Sequence, residues 1–141
     1  MTTANIFVFG TLKEGFPNYS VNNGSRIPGE FVTINQYPLY LVGERYSPWL
    51  VLDEGCGFPV KGQVFQVSKQ ALADMDALER IDEPDGYRRI ELDVVDLATQ
   101  QTLTVFAYGK PKQQLEHALI QSELAGDYTL DDALKYRSRY A

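Results

Sequence analysis

The chain has one cysteine, Cys56, and one histidine, His117, among its 141 residues. A single thiol excludes an internal disulfide, and a lone imidazole excludes the usual His-rich metal sites. A Cys56–His117 nucleophilic pair is formally available. Cys56, however, sits in the flexible turn Glu54-Gly55-Cys56-Gly57-Phe58-Pro59, and His117 lies in a helix-prone stretch among polar neighbours. The pair is set aside. Basic charge is also scarce: 13 Lys and Arg face 19 Asp and Glu, a formal net charge of −6. Such a chain should repel nucleic acid as a whole. Its basic residues are scattered, apart from Arg88-Arg89 and the tail residues Lys135, Arg137 and Arg139. Long apolar runs are missing too, and nothing approaches the ~20 uninterrupted residues that span a bilayer. The opening Met1-Thr2-Thr3-Ala4-Asn5 has neither a basic region nor a signal-like apolar core. The expectation is a cytoplasmic protein with no nucleic-acid partner, no membrane partner and no metal.

What is present fits an ordinary globular chain: 44% hydrophobic and 23% charged residues, read as a single domain over 1–141. The stretch Ile6-Phe7-Val8-Phe9-Gly10-Thr11-Leu12-Lys13-Glu14-Gly15 organises the rest. Bulky residues run straight into a Gly-Thr turn, the pattern of a buried strand that stops abruptly. Gly10 offers dihedrals closed to other residues and a close approach for a ligand. The N–H groups of such a turn can meet an anion.

A polar loop follows from Lys13 to Gly24. Strands are expected at Gly29–Ile34, Pro38–Val42, Trp49–Leu52 and Val60–Val67. In the last of these Phe65 breaks the alternation, as in a strand buried on both faces or bulged. Ser68 is positioned to cap a helix from Lys69 to about Arg80, whose apolar stripe is Leu72, Met75 and Leu78. The acidic turn Ile81–Gly86 should close that helix through Pro84 and Gly86. Tyr87–Leu97 and Thr102–Tyr108 form the clearest hairpin. Gln113 to about Leu124 is helix-prone, with Leu115, Ala118 and Leu119 on one side, and another short helix is expected within 125–141, with Thr129 or Asp127 near its start. The expected class is α+β: a small, mixed, strongly curled sheet or barrel with a central helix and a helical C-terminal end over 113–141.

Glu79 is the candidate for chemistry. It lies four residues after Met75 and seven after Leu72, on the apolar side of the helix, whereas Asp74 projects elsewhere. Burial and the negative end of the helix dipole would both raise its pKa, and a carboxylate so tuned can act as a general base. A structural ion pair with Arg88 or Arg89 is the competing reading.

Several stretches, in order, carry a family resemblance. They are Val8-Phe9-Gly10-Thr11-Leu12-Lys13 with Gly15 and Pro17-Asn18; Tyr37-Pro38-Leu39; and Gly43-Glu44 with Pro48-Trp49-Leu50. Val60-Lys61-Gly62-Gln63-Val64-Phe65 follows, then Leu72, Met75-Asp76 and Leu78-Glu79, with Tyr87 and Arg89 behind. Over residues 5 to 108 the chain resembles the gamma-glutamylcyclotransferase-like family, in its gamma-glutamylamine cyclotransferase branch. The resemblance implies a compact mixed barrel with its pocket between the first turn and the acid-bearing helix. It also implies a cofactor-free reaction on a small gamma-glutamyl substrate, with Glu79 as the general base and 5-oxoproline as product. Phe9, Gly10, Thr11 and Leu12 would hold the glutamyl portion, with Tyr87 and Tyr108 as further pocket members. Two features depart from the family pattern: Phe9 stands where tyrosine is usual, and the loop between Glu79 and Tyr87 is longer.

Three other readings compete. The same site could serve gamma-glutamyl amino acids or a gamma-glutamyl deacylation, or the scaffold could bind a small molecule without turnover. The helical tail could instead be a protein-interaction module.

Overall fold

In the computed structural model, residues 3–137 are described, so Arg139 of the basic tail lies outside the described residues. Five strands close a barrel in the order β1, β5, β2, β6, β7. These are β1 (Thr3–Val8), β2 (Ser25–Tyr37), β5 (Phe58–Ser68), β6 (Arg88–Asp96) and β7 (Thr102–Gly109). Neighbours pair antiparallel. Closure is a parallel contact of β1 with β7, Ile6 beside Phe106. The 13-residue β2 bends through two register shifts, between Ile27 and Phe31 and between Val32 and Gln36, the usual device for curling a sheet.

The unbroken apolar run of β1 has a physical reason, because both its faces are covered. Phe7 points into one core with Phe31, Val64, Val94 and Val105. Ile6 and Val8 join a second core with Phe65, Val67, Ala71 and Met75, under helix α1 (Lys69–Leu78). Phe65 breaks the alternation of β5 for the same reason. Val64 faces the first core and Phe65 the second, and both are fully buried.

A smaller sheet, β4–β3–β8, packs against the first core, with β3 (Leu39–Val42), β4 (Ser47–Leu50) and β8 (Ile120–Leu124). Here the expectation of a helix over Gln113–Leu124 is corrected. Lys112–His117 is a 3-10 turn, and Ile120–Leu124 pairs antiparallel with Leu39–Val42. The pairing satisfies the backbone of the β3 edge, which outweighs a weak helical stripe. The segment beyond is no separate helical tail either. Tyr128 is fully buried in the first core, and the helix α2 (Leu130–Ala133) is one turn, held by a capping box between Thr129 and Asp132. No described helix is long and apolar enough to cross a membrane.

Candidate active site

The ends of β1 and β7, the C-terminus of α1, the β3–β4 turn and the segment after α2 converge on a cavity of about 130 Å³. The residues expected to form a site, Phe9, Gly10, Thr11, Leu12, Glu79, Tyr87 and Tyr108, all line it.

The turn after β1 is built from its carbonyls. Gly10 O accepts from Lys13 N at 3.1 Å, Thr11 O from Asn18 N at 2.8 Å, and Leu12 O from Asn22 Nδ2 at 3.0 Å. The N–H groups of Gly10, Thr11 and Leu12 donate to no acceptor among the described residues. Consumed acceptors and spare donors leave the turn with an excess of unpaired N–H groups in residues that line the cavity. Gly10 is not in the left-handed region, contrary to the expectation of special dihedrals. It is needed for space, since a Cβ there would sit 2.8 Å from Pro48 Cγ. Lys13 fastens the turn from behind: its buried ammonium donates to Tyr128 O at 2.6 Å and lies 4.3 Å over the Phe16 ring. Burial lowers its pKa, and Asp127, Glu30 and Asp132 partly oppose the shift.

Glu79 is the C-cap of α1, half-buried at the cavity wall. The helix starts where Ser68 Oγ accepts from Ala71 N at 3.1 Å. It stops in a Schellman pattern, Arg80 N to Ala77 O and Ile81 N to Asp76 O, both 3.2 Å. Arg80 takes the left-handed conformation that glycine usually supplies, with φ 56°. The stop therefore lies one residue after Glu79, and Pro84 and Gly86 shape the following loop rather than the helix end. Arg88 spends its guanidinium on the carbonyls of Ile81, Glu83, Gly86 and Tyr87. Arg89 pairs with Asp76.

The two tyrosines are placed by hydrogen bonds. Tyr87 Oη donates to Pro48 O at 2.9 Å, tying the β6 side of the cavity to β4. Tyr108 Oη donates to Asp76 Oδ1 at 2.6 Å. Burial, then the bond and charge of Asp76, then the charge of Glu79 push the Tyr108 phenol well above its ordinary pKa, with Arg89 opposing. It stays a protonated donor at any working pH.

The sequence reading missed Asn18, Arg45 and Tyr136 as cavity residues. Asn18 Nδ2 donates to Thr11 Oγ1 at 2.9 Å and to Tyr136 Oη at 3.1 Å. Asn18, in Pro17-Asn18, belonged to a motif already noted. Tyr136 carried no signal, because only the fold returns the C-terminal segment to the first turn.

A family model described as gamma-glutamyl cyclotransferase, AIG2-like, matches residues 6–130. The chain belongs to that family. It is 38% identical over 96 residues to a gamma-glutamylaminecyclotransferase of Mus musculus, covering 64% of this chain and 63% of that protein. The aligned part thus spans less than two thirds of the mouse relative. A gamma-glutamylaminecyclotransferase B of Danio rerio is 32% identical over 139 residues, 93% of this chain and 72% of that one. The crystal structure of an AIG2-like protein from Mus musculus superposes with a TM-score of 0.80 at 28% identity, over 100% of this chain and 99% of that one. The α+β barrel is the architecture of that relative.

Proposed function

We propose that the chain is a cyclotransferase that releases 5-oxoproline and a free amine from a gamma-glutamylamine such as gamma-glutamyl-lysine. The observation carrying this reading is the cavity that Glu79 shares with the spare N–H groups of Gly10, Thr11 and Leu12. Glu79 takes a proton from the α-ammonium, and the freed amine attacks the gamma-carbonyl carbon of the same molecule. The carbonyl oxygen gains charge toward the turn N–H groups, where such donors stabilise it most. Glu79 gives its proton to the leaving nitrogen as that bond breaks, and the ring nitrogen then sheds its extra proton to the emptied Glu79 carboxylate, which passes it on to the freed amine. Nucleophile and electrophile arrive tethered, so the protein supplies orientation and proton transfer. The names of the relatives, gamma-glutamylaminecyclotransferases, support the same substrate class. Phe9 is compatible with this chemistry. Its side chain is packed in the first core, so at this position the backbone, rather than a hydroxyl, is offered to the ligand.

The test is 5-oxoproline release from gamma-glutamyl-lysine by wild type and by Glu79→Gln, with the fold of the variant checked by its melting curve. Turnover by wild type, at least about a thousandfold lower in a folded Glu79→Gln, is the expected result for loss of a general base acting at two steps. The wild-type rate should also fall on the acid side, as the base protonates. Equal rates in the two proteins would remove Glu79 from the mechanism. No release by wild type from any gamma-glutamyl compound would remove the reaction itself.

A further inference from the structure

Among the described residues, the cavity is lined by two ionisable side chains of opposite sign besides its tyrosines: Glu79, and Arg45 at the β3–β4 turn. Four other arginines are committed within the fold, and Arg137 is exposed. Arg26 pairs with Glu14 and Glu30, Arg80 with Asp85, Arg89 with Asp76, and Arg88 caps carbonyls. Arg45 is half-buried, yet its guanidinium has no hydrogen-bond acceptor and no acidic partner among the described residues. A partly desolvated cation without a counter-ion is unfavourable unless a ligand completes it.

The backbone around Arg45 is fixed from several sides. Gly43, with φ 75°, and Tyr46, with φ 52°, both take left-handed conformations, and Tyr46 N donates to Gly43 O at 3.2 Å. Gly43 N donates to Leu119 O at 2.7 Å, and Arg137 N donates to Arg45 O at 2.9 Å. A strained non-glycine residue beside a cavity cation that has no partner among the described residues is the pattern of a binding position rather than of a surface turn.

We infer that Arg45 is a specificity-determining residue that receives a carboxylate of the substrate through its guanidinium fork. This rests on reading the cavity as a gamma-glutamyl site. A gamma-glutamyl-lysine carries two carboxylates, one on the glutamyl α-carbon and one on the leaving lysine. The α-ammonium goes to Glu79, and Arg45 supplies the opposite charge that either carboxylate requires.

The experiment separates the two sources and separates this inference from the reaction. Binding of gamma-glutamyl-lysine and of gamma-glutamyl-cadaverine, which lacks the leaving-group carboxylate, is followed by NMR titration of Glu79→Gln. The same titrations are run on Glu79→Gln carrying Arg45→Ala or Arg45→Lys. A weakening of about 10- to 100-fold on Arg45→Ala, partly restored in Arg45→Lys, is expected. Loss with both compounds assigns the glutamyl carboxylate, and loss with the lysine compound alone assigns the leaving group. Affinity within about twofold of the parent for both compounds, or no binding to the parent, overturns the inference. Turnover of wild type is scored separately. Arg45-dependent binding without turnover leaves the inference standing and the reaction fallen; turnover with an indifferent Arg45 does the reverse.

Discussion

At the scale of single residues, buried polar atoms divide into those that are satisfied and those that are not. Tyr108 and Asp76 illustrate the first kind, a phenol held against a carboxylate that also meets Arg89. Tyr128 illustrates the second. Its ring is fully buried and lies 5.8 Å from that of Phe16, while its Oη has no hydrogen-bond partner among the described residues. The ring contributes through packing and the hydroxyl only through a desolvation cost. Tyr128→Phe should therefore raise stability by about 1 kcal/mol, whereas Tyr128→Ala should cost about 3–5 kcal/mol. Urea midpoints of the three proteins check both signs, and a destabilised Tyr128→Phe would show that the hydroxyl has a partner. Glu79 was legible in the sequence because spacing alone put an acid on an apolar stripe. Arg45 was not, because an arginine in a turn is ordinary until the fold shows what it faces.

At the scale of elements, the end of α1 decides where Glu79 sits, and it is reached without glycine. Arg80 takes the left-handed position, which costs an L-residue about 1–2 kcal/mol. Gly86 stands against it: a Cβ on Gly86 would fall 1.7 Å from Arg80 O. The two glycine substitutions should thus have opposite signs. Arg80→Gly relieves the backbone but loses an exposed pair with Asp85, worth about 0–1 kcal/mol, so it should be neutral to stabilising by about 0.5 kcal/mol. Gly86→Ala should cost about 2–3 kcal/mol and lower turnover as well, since it moves the loop between Glu79 and Tyr87. Thermal midpoints with 5-oxoproline assays decide it; a well-folded, fully active Gly86→Ala would show that the loop is free to shift. The same element scale shows why α1 and the β6–β7 hairpin were legible and β8 was not. Ser68, Met75 and the alternation in Leu103, Val105 and Ala107 are local signals. In β8 no residue is fully buried, and Ile120 is 43% exposed. Its strand character comes from the partner β3, which lies about 80 residues upstream in the chain.

At the scale of the whole molecule, two buried layers press on the two faces of β1, and tyrosines within and beside them carry titrations perturbed in one direction. Tyr37, Tyr40, Tyr108 and Tyr128 all have phenol pKa values raised above the ordinary 10.0, burial being the largest cause in each. A phenol that holds its proton longer when folded than when unfolded binds more protons in the native state. Its stabilising effect is therefore complete below about pH 10 and is lost as pH rises beyond that value. Lys13 works the other way. Its folded pKa lies below the ordinary 10.5, so its burial cost is relieved as pH climbs from the lowered value toward 10.5, and it contributes nothing further above that. The four named phenols outlast Lys13, and their contribution to native stability should decline progressively above about pH 10. Urea midpoints between pH 9 and 11.5 read this directly. Tyr108→Phe should reduce the slope by removing one of the shifted groups, and Tyr128→Phe should do so independently, because the two rings lie in separate cores. A midpoint that stays level to pH 11.5, or variants whose slopes match the wild type, would mean that these phenols ionise without opening either core.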